Sequence, residues 1–262
     1  MRQIEKSLHR KIKARLYLYA VLPVFEEFLA ESGSAREALG TRAFTLSFQT
    51  TSGLKSYLQF KCGSCTVTKT SSGGADIVLH FLSENHLNKE FENEGFRIPI
   101  PLRGASRIGD LRTFKTLTKL LEQHIRPDEL QLQDPAFHQA HVALQLGIAL
   151  RAGVELIQHE PRAQSIIGNT PPGIAHFCVG TEGYSAWVSW INGRIQTGKG
   201  TPVREPDVRV TFKDGKTALK AVGNQIDVFA AIGLRDITIE GLVPLADALG
   251  YIFERIPIYI KP

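Results

Sequence analysis

The sequence predicts an α+β fold built twice, with a mainly antiparallel sheet packed on helices in each copy. Three observations predict it. When the chain is displaced along itself by 131 residues, half of its 262, Ala75-Asp76-Ile77-Val78-Leu79-His80-Phe81 falls on Pro206-Asp207-Val208-Arg209-Val210-Thr211-Phe212. Between residues 75 and 125 seven positions are then identical (Asp76, Phe81, Lys89, Asn93, Ile108, Leu111 and Ile125), and apolar positions coincide as well: Ile77 with Val208, Leu79 with Val210, Phe91 with Val222, Ile98 with Phe229. With a shift one residue shorter, Ser56-Tyr57-Leu58-Gln59-Phe60-Lys61-Cys62-Gly63 meets Ala186-Trp187-Val188-Ser189-Trp190-Ile191-Asn192-Gly193. Such a period is too long for a solenoid, whose units are shorter and more numerous, and points to a repeated domain. The halves are 1–131 and 132–262, each of the size at which single domains bury a core of their own.

Each element has a local reason. Residues 4–31 read as one helix, with Ile4, Leu8, Ile12 and Leu16 recurring every four residues, closed by Ser32-Gly33-Ser34. Phe44, Leu46 and Phe48 alternate, as do Leu58 and Phe60, giving strands over 44–50 and 54–61. Ser71-Ser72-Gly73-Gly74 is a loop, and Ile77, Leu79 and Phe81 mark the next strand. A short polar helix is expected over 84–94. Ile98, Ile100 and Leu102 alternate with Pro99 and Pro101, which cannot donate to a ladder, so this stretch is an edge strand or no strand. Leu111, Phe114, Leu117, Leu120 and Leu121 give a helix to about residue 124.

After the linker at Arg126-Pro127-Asp128, Asp134-Pro135 reads as an N-cap and first helical residue of a helix over 135–159. Gly168-Asn169-Thr170-Pro171-Pro172-Gly173 is a loop, and 174–180 pairs with 184–191 around Thr181-Glu182-Gly183. Asn192-Gly193 predicts a type I′ turn, which needs positive φ at both central residues. Val208, Val210 and Phe212 mark a strand, Lys216 to Val222 a short helix, Ile237 and Ile239 a strand, and Leu242, Leu245, Leu249, Ile252 and Phe253 the closing helix. Strands segregated from helices in this way give an α+β architecture.

At 43% apolar and 22% charged the chain has an ordinary globular composition. Its net charge of +5 is local: Arg2, Lys6, Arg10, Lys11, Lys13 and Arg15 stand against Glu5 within the first twenty residues, and the rest of the chain sums to zero. A nucleic-acid binder spreads basic residues over one surface, so no nucleic-acid partner is expected, and an anionic membrane surface or acidic protein suits this helix better. The apolar run Leu16 to Phe25 is short of the ~20 residues that cross a bilayer, and Glu26-Glu27 follow it without an evident cleavage site. Three readings of the terminus remain open: a helix packed on its own domain, a membrane-surface helix, and a cleaved signal. Three cysteines make no disulfide framework, and the expected compartment is the cytoplasm, peripheral to membrane if the first helix docks.

The residues Ile191-Asn192-Gly193-Arg194, Pro206-Asp207-Val208-Arg209-Val210-Thr211-Phe212, Gly223 and Asp236-Ile237-Thr238-Ile239-Glu240-Gly241-Leu242, in this order of elements, resemble the sterol carrier protein type-2 family. The shared pattern is a hairpin carrying a glycine, a Pro/Ala-Asp strand, a helix ending near glycine, and a last strand closing on glycine before an apolar helix. The first half keeps Ala75-Asp76 and the closing helix, with Glu92 in the place of Gly223 and Asp110 in that of Gly241. The chain ends at Ile260-Lys261-Pro262, without a peroxisomal serine-lysine-leucine.

The resemblance implies a five-stranded sheet covered by helices, with an apolar tunnel for sterols, fatty acids or acyl chains. Burial there is worth about 0.8 kcal/mol per methylene, so no polar anchor is needed. In the second half the implied lining is Phe177, Trp187, Trp190, Val208, Val210, Phe212, Phe229, Ile237, Ile239, Leu245 and Leu249. Trp187, Trp190 and Phe177 serve equally as ordinary core. The function expected is non-catalytic binding or transfer of an apolar ligand, with no cofactor. The alternative is a protein-binding scaffold whose cavities are filled by side chains.

A metal or redox enzyme is the weakest reading. Cys62-Gly63-Ser64-Cys65 lies between strand residues, where no helix N-terminus lowers a thiol's pKa, and no second Cys-x-x-Cys completes a zinc site. His138 with His141, and Glu155 with His159, share helix faces, but the two pairs stand roughly 25 Å apart and cannot hold one ion. Asp207, Asp236 and Glu240 lie on or beside strands, and no residue stands in a nucleophile elbow.

Overall fold

The computed structural model describes residues 2–71, 73–92, 99–180 and 183–260. Ser72, Asn93 and residue 94, Ile98, Thr181-Glu182 and Lys261-Pro262, all part of the sequence expectations, lie outside the described residues, as does the side chain of Ile4. The chain divides into two compact units, Met1–Asp128 and Glu129–Pro262.

The first unit opens with α1 (Arg2–Leu16), a π-helical turn (Tyr17–Val21), α2 (Val24–Glu31) and α3 (Gly33–Leu39). The single helix expected over 4–31 is thus broken. Pro23 has no N–H and its ring crowds the carbonyl four residues back, so the helix widens ahead of it, with Leu22 N donating to Tyr17 O at 3.0 Å. Ser32 starts a helix instead of ending one, because its Oγ accepts from Ala35 N at 3.2 Å. Strands β1 (Ala43–Thr50), β2 (Lys55–Lys61), β3 (Ser64–Thr68), β4 (Ile77–Phe81) and β5 (Ile100–Arg103) form one sheet in the order β3-β2-β1-β4-β5. Helix α4 (Glu84–Phe91) follows β4 and α5 (Ile108–Ile125) closes the unit. The proline-bearing stretch is an edge strand: β5 pairs only with β4, at a register shift between Val78 and Leu79.

The second unit repeats this plan. A long helix α6 (Pro135–His159) and a shorter α7 (Pro161–Gly168) precede β6 (Gly173–Val179), β7 (Ser185–Ile191), β8 (Arg194–Lys199) and β9 (Val208–Phe212). Then come α8 (Gly215–Val222), α9 (Val228–Gly233), β10 (Ile237–Gly241) and α10 (Val243–Phe253). The sheet order is β10-β9-β6-β7-β8, the same as in the first unit. In each sheet the first strand pairs in parallel with the fourth, and the other pairs are antiparallel. By length and composition α6 would cross a membrane, yet 78% of its apolar window is buried in the protein, so it is the unit's core helix. Asp134 caps it, accepting from Ala136 N at 3.0 Å.

The repeat holds element by element where the 131-residue offset is intact. β4 and β9 correspond residue for residue, as do α4 and α8, capped by Ser83 and Asp214. Glu92 replaces Gly223 freely, since the backbone is right-handed at both (φ −88° and −77°). Beyond α8 the ungapped match fails. Ile108 and Leu111 lie on α5, while Ile239 lies on β10, so those two identities do not reflect equivalent places. The counterpart of Gly241 is Gly104, not Asp110. Both glycines have positive φ (+102° and +80°), and a Cβ on either would collide with the carbonyl oxygen of the aspartate that opens β9 or β4.

That aspartate is a strand clasp. Asp76 N donates to Thr45 O at 2.9 Å and Asp76 Oδ2 accepts from Thr45 N at 2.8 Å. Asp207 does the same with Ile174, at 2.9 and 2.7 Å, and its carbonyl also accepts from Leu242 N at 2.8 Å. One residue therefore fixes the starts of two parallel strands and the end of a third. Nothing in this geometry calls on Asp207 for chemistry.

The interior of the first unit is a web of aromatic rings. Phe44 and Phe60 stack at 4.8 Å between centroids, Phe25, Phe48 and Phe60 surround Phe114 at 5.7, 5.9 and 6.1 Å, and Phe48 also meets Phe81 and Phe91. These rings lie on the sheet's inner face and on the helices packed over it. The second unit's core is mainly aliphatic, with Val188, Val208, Leu249 and Ile252 at 2% exposure or less, beside the buried rings of Phe177 and Phe212. There α6 and α10 approach closely at Gly153, where a Cβ would stand 2.6 Å from the Phe253 ring.

Candidate ligand cleft

The β7–β8 hairpin and the α6–α7 corner bound a cleft of about 520 Å³ in the second unit. Asn192 and Gly193 close the hairpin with φ of 52° and 71°, the pair of positive values that a type I′ turn requires. That tight turn sets Trp190 directly opposite Ile195. From the other side come Ile157 and Gln158 in the last turn of α6, and Gln164 and Ile167 on α7. The floor is apolar (Ile157, Ile167, Ile195 and half-buried Trp190), whereas Gln158, Gln164, Arg194 and Gln196 form an exposed rim. Gln164 is oriented by its amide, which donates to Gln158 O at 2.8 Å.

A buried carboxylate sets the angle of this wall. Glu160, between α6 and α7, accepts from Ala163 N at 2.7 Å and so caps α7. Arg255 grips the same carboxylate twice, Nε to Oε2 at 3.0 Å and Nη2 to Oε1 at 2.5 Å, and the Tyr259 hydroxyl donates to it at 3.4 Å. Hydrogen bonding to Glu160 raises the already high pKa of Arg255, and burial, aided by the Glu160 charge, pushes the Tyr259 phenol up. Glu160 thus ties the end of the chain to the corner that shapes the cleft.

The residues expected to line a tunnel are dispersed. Phe177, Val208, Val210, Phe212, Ile237, Leu245 and Leu249 are all buried in the core, none more than 7% exposed. Trp190 lies in the cleft. Trp187, three residues earlier on the same strand, points to the opposite sheet face and lies against Gly198, where a Cβ would stand 2.6 Å from its ring. Ile239 is half-buried on the edge strand β10, and Phe229 is 77% exposed on α9. The wall formed by Gln164 and Ile167 escaped sequence reasoning because α7 did. Its signal was present: Glu160-Pro161 is a cap followed by a proline at the first helical position.

The cysteines and histidines form no catalytic constellation. All three cysteines are free thiols, Cys62 exposed on the turn before β3 and Cys65 buried. Burial, with the Glu26 charge nearby, drives the Cys65 thiol far above its ordinary range. Cys178 Sγ lies 3.5 Å from His176 Nδ1, but burial raises this thiol and lowers this imidazole, opposite to an activated pair. Glu155 and His159 approach at 3.7 Å as neighbours on one helix face. Among the described residues no group of three or more His, Cys, Asp or Glu could hold a metal ion.

No family model matches the chain, and no curated protein matches it. Solved structures do. A sterol carrier protein domain 2 of Helicoverpa armigera is 17% identical, matched over 45% of this chain and 92% of its own, with a TM-score of 0.36. Sterol carrier protein 2 of Yarrowia lipolytica, in its apo form, is 18% identical over 39% of this chain and 91% of its own, at 0.32. The palmitated SCP2L2 of Aedes aegypti is 20% identical over 37% and 89%, at 0.28. The resemblance is to sterol carrier protein 2 domains. It is a likeness of fold, and each of these three matches spans less than half of this chain. The α+β class and the five-stranded sheet are as the sequence resemblance implied, and the chain has two five-stranded sheets of one strand order.

Proposed function

We propose that the chain binds an apolar, lipid-like molecule without transforming it, and that the second unit's cleft holds the ligand. The observation that carries this reading is the cleft: an isoleucine and tryptophan floor under a rim of amides and one guanidinium, of a size within the ~300–1,000 Å³ of small-molecule sites. Affinity would come from burial on the floor, at about 0.8 kcal/mol per methylene. The web of rings inside the first unit favours a different role there, a packed scaffold for a protein partner. Cytoplasmic placement belongs to the proposal and suits three free thiols.

Native mass spectrometry of the full chain, followed by organic extraction, tests the reading directly. A co-purifying lipid at one per chain supports it, whereas a clean mass and no uptake of offered fatty acid or sterol transfers the weight to the scaffold. The site is located by fluorescence. In a Trp187→Phe background Trp190 is the sole tryptophan, and ligand should alter its emission. Trp190→Ala should weaken binding about tenfold. Unchanged affinity in that variant would place the ligand elsewhere.

The first helix is proposed as a docking element for anionic membrane. Lys6, Arg10 and Lys11 face solvent on α1, with Leu8 37% exposed between them, while Lys13 pairs with Glu92 and Arg15 lies over the Tyr19 ring at 5.0 Å. The double variant Arg10→Glu/Lys11→Glu, which spares the paired Lys13, should lose sedimentation with phosphatidylserine vesicles. Retained sedimentation would leave α1 as a helix of its own domain.

A further inference from the structure

The corner that bounds the cleft in the second unit exists in the first unit as well. Ser32 caps α3 through Ala35 N, three residues on, and Glu160 caps α7 through Ala163 N in the same way. Ala35 and Ala163 are both fully buried, and Leu39 and Ile167, one turn further on, are 1% and 2% exposed. The hairpins match too. Cys62-Gly63 turns with φ of 49° and 80°, and Asn192-Gly193 with 52° and 71°. Each turn sets a ring opposite a buried residue of the next strand, Phe60 opposite Cys65 and Trp190 opposite Ile195. The first unit's counterpart of the cleft therefore lies between the α2–α3 corner and the β2–β3 hairpin.

One side chain separates the two corners. Gln164 on α7 corresponds to Arg36 on α3, each the fourth residue after its cap. Gln164 Nε2 donates to Gln158 O at 2.8 Å, in the last turn of α6. Arg36 Nη1 donates to the equivalent carbonyl, Ala30 O, at 2.7 Å, and to Leu29 O at 3.0 Å. On its way there the arginine stem passes over the hairpin. A Cβ on Gly63 would stand 3.8 Å from both Cγ and Cδ of Arg36, whereas a Cβ on Gly193 would meet nothing within 4 Å. The ring beneath differs in the same sense, since Phe60 is 1% exposed and Trp190 is half-buried on the cleft floor.

Physical chemistry favours the arginine where it lies. Carbonyls in the last turn of a helix carry the negative end of its dipole, and bonds from a cation to them are stronger than bonds from a neutral amide. The methylene stem covers apolar surface while the charged head stays wet, and Arg36 is accordingly exposed. In the first unit those methylenes stand where the second unit has open space.

We propose that Arg36 closes the first unit's counterpart of the cleft, and that the residue at this position decides which unit binds. Arginine on α3 closes one corner, glutamine on α7 leaves the other open, and the chain takes a single apolar ligand in its second unit. The inference rests on the reading of that cleft as a ligand site. It adds the residue that sets how many ligands the chain holds.

Exchanging the two residues in the full chain, with palmitate as the probe, tests it. Both positions are exposed on short helices, so neither exchange disturbs a core. Native mass spectrometry should count one palmitate on the parent, two on Arg36→Gln, and still one on Arg36→Lys, which keeps the stem and the charge. In the Trp187→Phe background Trp190 reports the second unit alone. There Gln164→Arg should weaken palmitate binding about tenfold, while Arg36→Gln should leave the titration unchanged. Two palmitates on the parent, or no gain in Arg36→Gln, overturns the inference and leaves the cleft reading standing. A parent that takes up no palmitate and shows no Trp190 response overturns both.

Discussion

Replacing Glu160 by alanine is expected to destabilise the second unit by about 3–5 kcal/mol, the cost of stripping one partner from a buried ion pair. The size follows from what remains. Arg255, with a side chain 17% exposed, would lose both of its bonds to the Glu160 carboxylate, Tyr259 would lose the bond it donates there, and α7 would lose its cap. Glu160→Gln keeps an oxygen for Ala163 N and for one Arg255 nitrogen, so its loss should be smaller. Both tryptophans lie in the second unit, so denaturant unfolding followed by their fluorescence reads that unit and not the first. Because the same carboxylate sets the α6–α7 corner, ligand affinity should fall in Glu160→Gln even where folding is complete. A loss under 1 kcal/mol in the alanine variant would mean that the corner is held by packing alone.

Gly241→Ala is expected to cost about 3 kcal/mol, combining an unfavourable left-handed alanine with the displacement of backbone. The new methyl would collide with the carbonyl of Asp207, which cannot rotate away because it accepts from Leu242 N and belongs to the residue clasping β6 to β9. Gly104→Ala makes the same collision with Asp76 in the first unit. The paired experiment therefore tests the equivalence of the two glycines as well as the strain. Tryptophan fluorescence should register Gly241→Ala, while Gly104→Ala should appear in far-ultraviolet circular dichroism with little change in the tryptophan transition. A silent Gly241→Ala would show that the last strand can shift without cost.

Parts of this structure were legible because they depend on neighbours in sequence. The type I′ turn at Asn192-Gly193 and the cap at Asp134-Pro135 are local rules, and the alternation at Val208, Val210 and Phe212 marks one buried face. Local rules also misled. The long first helix is broken where Pro23 removes a donor, although the apolar stripe runs on through it. The ungapped repeat paired Gly241 with Asp110, since the stretch of chain from α8 to β10 is longer than the one from α4 to β5. Only the shared collision with an aspartate carbonyl identifies Gly104 as the true counterpart.

By itself the sequence determined the α+β class, the repeated order of elements, and the faces that strands and helices bury, because periodicity and turn chemistry act over a few residues. Tertiary structure alone decided which apolar residues close into a core and which border open space. Trp187 and Trp190 are the same residue type on the same strand, yet one lies on Gly198 and the other on the floor of the cleft. Likewise the two units share a strand order, while one packs a web of phenylalanine rings and the other borders a cleft at its hairpin. Packing density is a property of side-chain volumes meeting across distant elements, and no window of sequence contains both sides of that contact.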